Sequence, residues 1–204
     1  MARRFNMLGW VKAVVFFLSL APLARLGWLG VHGGLGANPI EFITHSLGTW
    51  TLVFLLLTLA ITPLRRWLHV PALVRLRRML GLYAFFYAAL HFVTYLWLDQ
   101  FFDWAAIAKD VVKRPFITAG FAALLLLAPL AATSTTGMIR RLGAKRWQRL
   151  HYLIYPAAIV AVLHYLWLVK QDLTQPLFYA AALAILLGYR VAGHFRRRWR
   201  SADT

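Results

Sequence analysis

The chain has 204 residues, of which 61% are hydrophobic and only 14% charged, and its mean hydropathy is +0.64. A soluble domain of this size carries about 25% charged residues, so an ordinary soluble globule is excluded. There is no cysteine, which removes disulfides, iron–sulfur clusters and thiolate metal ligation.

Six apolar stretches near 20 residues long follow one another, at 8–30, 45–63, 79–98, 116–132, 150–169 and 176–193. Each has the length needed to cross roughly 30 Å of hydrocarbon. They predict an all-α integral membrane protein, a six-helix transmembrane bundle forming one domain over 1–204. The first span follows Arg3 and Arg4 and reads as an uncleaved anchor. Arg25, near its far end, either snorkels to the interface or pairs with an anionic group. His32 falls in a glycine-rich turn closed by Pro39, and His45 opens the second span as a cap or interfacial residue. Segment 64–78 holds five arginines, among them Arg77 and Arg78. The third span carries His91. Residues 99–114 place Phe101, Trp104, Ala105, Ala108, Val111 and Val112 on one stripe, which suggests a short interfacial helix or an ordered loop. Thr133 to Thr136 end the fourth span and cap a short helix closed near Gly143. The fifth span carries His151, Pro156 and His164. His69 and His194 lie in basic segments and read as solvated.

Charge sorts the connections. Eighteen of the 23 basic residues fall in the N-terminus, 64–78, 133–149 and the tail, where Arg190, Arg196, Arg197, Arg198 and Arg200 cluster. Glu41, Asp99, Asp103, Asp110 and Asp172 fall in the opposite loops. The positive-inside rule then places both termini in the cytoplasm. Tryptophans 28, 50, 97, 104 and 167 mark the outer interface, and 67, 147 and 199 the inner one. The net charge of +17 is therefore a topology signal, and no nucleic-acid partner is implied.

Histidines inside apolar spans lose their water and need partners, which makes them functional candidates. Leu90-His91-Phe92-Val93-Thr94-Tyr95-Leu96-Trp97-Leu98 echoes Leu163-His164-Tyr165-Leu166-Trp167-Leu168. His91 lies 12 residues after Met79 and His164 lies 14 after Leu150, so both sit roughly 18–21 Å into parallel spans, at about 1.5 Å per residue. Two imidazoles at one depth are what a haem iron between two helices requires. His151, at the inner edge, has Arg78 at the equivalent place in the third span. An arginine cannot ligate iron but can face a propionate or a phosphate. Thirteen residues turn a straight helix by about 220°, so His151 and His164 share a face only if Pro156 rephases it. His151 stays open between haem ligand and interfacial histidine.

The motifs His32-Gly33-Gly34-Leu35-Gly36-Ala37-Asn38-Pro39, Thr62-Pro63-Leu64, Arg77-Arg78-Met79-Leu80-Gly81-Leu82 and Leu142-Gly143-Ala144-Lys145-Arg146-Trp147-Gln148-Arg149-Leu150-His151 run through nearly the whole chain. With His164-Tyr165-Leu166-Trp167, they resemble the MsrQ (YedZ) family within the ferric reductase-like transmembrane superfamily. The resemblance implies haem b on His91, His151 and His164, and the chain departs from the superfamily's paired histidines at Arg78, where a second haem would need its other ligand. It implies FMN as a further cofactor, with Arg75, Arg77 and Arg78 as candidate holders of its phosphate. It implies an electron-transfer subunit in the bacterial inner membrane with no complete catalytic site of its own. Electrons would come from the quinone pool or a flavin donor and pass to the periplasmic molybdenum-containing reductase MsrP, which reduces methionine sulfoxide in oxidised proteins. The alternatives are a proton or ion carrier using the membrane histidines, or an assembly subunit with structural histidines.

Overall fold

A computed structural model describes residues 2–202, with side chains described for 9–195. The side chains of Arg3, Arg4, Arg196, Arg197, Arg198, Trp199 and Arg200 lie outside the described residues. Every regular element among the described residues is helical: α1 Ala2–Val31, α2 Pro39–Trp67, α3 Arg77–Thr94, α4 Trp104–Lys113, α5 Pro115–Ala132, α6 Thr136–Leu142, α7 Ala144–His151, α8 Ile154–Leu168 and α9 Thr174–Ala202. Six segments are long and apolar enough to cross a membrane: Gly9–Val31, Pro39–Trp67, Pro71–Asp99, Pro115–Ala132, Ala144–Leu168 and Thr174–Phe195. They alternate in direction, so the bundle has an acidic end and an arginine-rich end.

Local chemistry sets boundaries that hydropathy misses. α2 starts at Pro39 rather than near residue 45, because the Asn38 side chain accepts from the Glu41 N–H and Pro39 pre-sets the first turn. His45 therefore lies inside the helix and caps nothing. A 3₁₀ turn, Pro71–Arg75, leads into α3, and a π-helical turn, Tyr95–Asp99, ends it just beyond His91. Asp103 caps α4 and Thr135 caps α6, which stops at Gly143 with φ 74°. α4 confirms a short helix but turns a different face inward. Ala106, Ile107, Asp110 and Val111 are half-buried, whereas Trp104 is 67% exposed and Val112 is 84% exposed. The cause is a polar anchor: Asp110 accepts from the Tyr95 hydroxyl and pairs with Arg114, and so faces inward.

Two antiparallel pairs form the centre: α3 packs most extensively on α2, and α8 on α5. Small side chains permit this. Ala84 and Ala88 on α3, and Ala157, Ala158 and Ala161 on α8, are buried, which is how helices approach closely where no hydrophobic effect drives them together. α3 and α8 make almost no backbone contact of their own. α1 is held more lightly, through the Tyr83 hydroxyl on the Phe16 carbonyl (3.1 Å) and the Tyr87 hydroxyl on the Ser19 carbonyl (2.7 Å). Both tethers sit in the turns before Pro22, where the helical ladder loses a donor.

Pro156 acts earlier than its position suggests. Its ring conflicts with the Tyr152 carbonyl, and the fifth span breaks there, α7 ending at His151 and α8 beginning at Ile154.

Arg190 is no tail residue. It lies within α9 and reaches into the bundle, donating to the Leu59 carbonyl (2.6 Å), the Thr62 hydroxyl (3.2 Å) and the Leu186 carbonyl (3.2 Å).

Candidate metal centre

His91 on α3 and His164 on α8 come together near the acidic end, ring centroids 6.1 Å apart and ring planes at 74°. Two imidazoles on opposite sides of one metal, each with a bond of about 2 Å, have centroids roughly 6 Å apart once the ring radii are added. The spacing fits a shared ion.

The tautomer fits as well. Nδ1 of His91 donates to the Thr44 carbonyl on α2 at 2.8 Å, and Nδ1 of His164 donates to the Phe116 carbonyl on α5 at 2.6 Å. A carbonyl only accepts, so each Nδ1 carries the proton and each Nε2 keeps a free lone pair. Such outer partners orient metal-binding imidazoles and raise their basicity. No group of three or more His, Cys, Asp or Glu among the described residues is placed to hold a metal ion. Two ligands alone suit a metal that brings its other donors with it, as porphyrin iron does.

Two buried side-chain polar atoms among the described residues have no hydrogen-bond partner, and they mark two levels of the bundle. One is the Thr44 hydroxyl, beside the His91 contact. The other is Nε2 of His151. That ring stacks on Trp147 at 3.8 Å and donates from Nδ1 to the Trp147 carbonyl at 3.0 Å. Arg77, half-buried, and Arg78, exposed, lie within electrostatic reach of His151. His151 thus belongs to an arginine-rich inner cluster, separate from the His91–His164 pair. An orphaned imidazole nitrogen flanked by cations fits a ligand that carries both a metal and an anionic group.

Arg25 joins neither level. It is exposed and lines a cavity of about 650 Å³ at the acidic end, with Glu41, His45 and Gln175. The loop beside that cavity stays negative, because the Thr174 hydroxyl and N–H hold the Asp172 carboxyl below the usual carboxylate range. His32 stacks on Trp28 at 3.8 Å within its turn, and His69 and His194 are exposed.

Four contributors escaped sequence reasoning: the Thr44 and Phe116 carbonyls, and the glycines one turn beyond them, Gly48 and Gly120. Backbone acceptors carry no side-chain signature. The glycines were visible in the sequence, but glycine in an apolar helix reads as close packing.

The family described as "Ferric reductase like transmembrane component" matches residues 47–162. The chain is 56% identical to the "Protein-methionine-sulfoxide reductase heme-binding subunit MsrQ" of Bordetella pertussis over 94% of this chain and 93% of that protein. It is 55% identical to the protein of the same description from Herminiimonas arsenicoxydans, over 92% of this chain and 87% of the relative. The Rhodospirillum rubrum counterpart is also 55% identical, over 92% and 90%.

Proposed function

Since the chain belongs to the MsrQ family of the ferric reductase-like transmembrane superfamily, we propose that it is a haem b membrane subunit delivering electrons to a periplasmic methionine sulfoxide reductase, MsrP, that repairs oxidised proteins. The donor in this reading is the quinone pool or a flavin. The observation that carries it is the facing pair His91 and His164, each with Nδ1 tied to a carbonyl of the neighbouring helix. With each Nδ1 proton held by a carbonyl, the Nε2 lone pair of each ring is left for a metal.

Haem b bound there supplies a one-electron ferric–ferrous couple. The residues around it hold the ligands still. The Thr44 and Phe116 carbonyls fix the tautomer, so neither imidazole needs to move or lose a proton to ligate. Ala88 and Ala161, buried one turn below the two histidines, keep the approach apolar. At the arginine-rich end, His151 with Arg77 and Arg78 is assigned to a second group with an anionic arm, a further haem or FMN. Arg25 is assigned to an anionic group at the acidic end. The domain spans 1–204, both termini face the cytoplasm, and the acidic end faces the periplasm across the bacterial inner membrane.

The absorption spectrum of the purified protein tests the reading. A Soret band with reducible α and β bands is expected, lost in His91→Ala and in His164→Ala and retained at the outer level in His151→Ala. A colourless protein, or unchanged bands in both outer variants, would overturn it. Proton or ion carriage predicts the colourless result. Against carriage, no carboxylate is buried among the described residues.

A further inference from the structure

Gly48 and Gly120 occupy equivalent places. Each lies four residues after the carbonyl that accepts from an imidazole, Thr44 before Gly48 and Phe116 before Gly120, and the histidines follow their acceptors by 47 and 48 residues. A Cβ built on Gly120 would stand 2.9 Å from both Cε1 and Nδ1 of His164. One built on Gly48 would stand 3.2 Å from Cε1 and 3.3 Å from Nδ1 of His91.

Helix geometry explains the spacing. A helical carbonyl at position i already accepts from the N–H at i+4 and has one lone pair left for an outside donor. The side chain at i+4 lies beside that oxygen, which is why serine and threonine so readily bond back to it. At these two positions a Cβ would crowd the imidazole that uses the second lone pair, and glycine leaves its seat open. The arrangement occurs twice, once in each antiparallel pair.

We propose that Gly48 and Gly120 are positioning residues of the iron site, each seating one axial imidazole against the backbone carbonyl of the neighbouring helix. The inference rests on the haem reading above. A methyl group at Gly120 displaces the His164 ring, lengthens its Nδ1–H···O bond and lowers the basicity of Nε2. A less basic ligand stabilises ferric iron less, so the midpoint potential rises. With haem bound, rings held near the 74° seen here would place two iron d orbitals close in energy, and the ferric electron paramagnetic resonance signal would report a change in that angle.

The test compares three alanine variants of the full chain in detergent. Gly120→Ala, at 2.9 Å, should raise the potential, reduce the resonance anisotropy and speed haem loss to apomyoglobin by about tenfold, the usual scale of outer-partner effects. Gly48→Ala, at 3.2 Å, should move each readout the same way by less, and remains informative should Gly120→Ala not fold. Gly81→Ala is the control, because its Cβ would meet only the Thr58 side chain, at 3.6 Å. The ranking Gly120 above Gly48 above Gly81 supports the proposal. Wild-type potential and resonance in both Gly120→Ala and Gly48→Ala, or an equal shift in Gly81→Ala, overturns it. A wild-type protein without haem overturns the parent reading instead, and a haem-replete wild type with unmoved variants overturns this inference alone.

Discussion

Arg190 carries its charge into the bundle with no carboxylate paired to it among the described residues. The only ion pair among the described residues joins Arg114 and Asp110 at the other end. Pro63 explains the arrangement. Having no N–H, it leaves the Leu59 carbonyl without its helical donor, and Arg190 supplies one at 2.6 Å while its guanidinium lies 5.6 Å from the centre of the Tyr155 ring. An orphaned carbonyl at membrane depth has no water to turn to, so a donor from a neighbouring helix is the usual remedy. Arg190→Met should therefore destabilise the protein by about 2 kcal/mol, the scale of a hydrogen bond to a charged donor, as read from thermal unfolding in detergent. In a Pro63→Ala background α2 regains its own rung, and the same substitution should cost measurably less. Equal losses in the two backgrounds would mean that Arg190 serves something other than the proline gap. The proposed iron site turns on detail of the same kind. His91 and His164 were legible because their flanking motifs repeat at matched depth. Thr44 and Phe116 were not, since they contribute main-chain oxygens that any residue supplies.

At the level of elements, hydropathy located the six apolar helices, because length in hydrocarbon is a coarse requirement that composition reports directly. It missed their ends, which depend on single side chains. Asn38 caps α2 so that it starts at Pro39, six residues before His45, and Pro156 breaks the fifth span at Tyr152 rather than at itself. That break decides where His151 points. Uninterrupted helix from His151 to His164 would turn by about 220°; with the ladder interrupted, α7 turns independently and holds His151 against Trp147. Pro156→Ala removes the obstacle and lets α7 and α8 fuse. It should then reproduce the effect of His151→Ala on whatever group the inner cluster holds, while the His91–His164 absorbance survives. The ratios of haem and flavin to protein check this. Inner-site content at the wild-type level in Pro156→Ala, with loss in His151→Ala, would show that the break does not orient the ring. A milder prediction concerns α4. Asp103→Ala removes a cap that accepts from the Ala105 and Ala106 N–H groups, and should lower the stability of that helix by about 1 kcal/mol, seen as faster amide exchange confined to its first turn.

Over the whole molecule, charge and chemistry are segregated along one axis. The five carboxylates of Glu41, Asp99, Asp103, Asp110 and Asp172 occupy the end nearest the paired histidines, whereas His151 sits among arginines at the other. Basic residues resist translocation, so this polarity fixes how the bundle inserts. In the proposed orientation the His91–His164 pair would lie nearer the periplasmic acceptor, and the His151 cluster nearer the cytoplasmic or membrane donor. Because the chain has no cysteine, single substitutions report topology without background. Lys109 on α4 and Lys145 on α7 are both exposed and lie at opposite ends. In intact cells, a membrane-impermeant maleimide that crosses the outer envelope should label Lys109→Cys and spare Lys145→Cys, and opening the inner membrane should make both react. Labelling of Lys145→Cys alone in intact cells would invert the bundle. It would put the paired histidines on the cytoplasmic side and remove the route to a periplasmic reductase, even with the iron site intact.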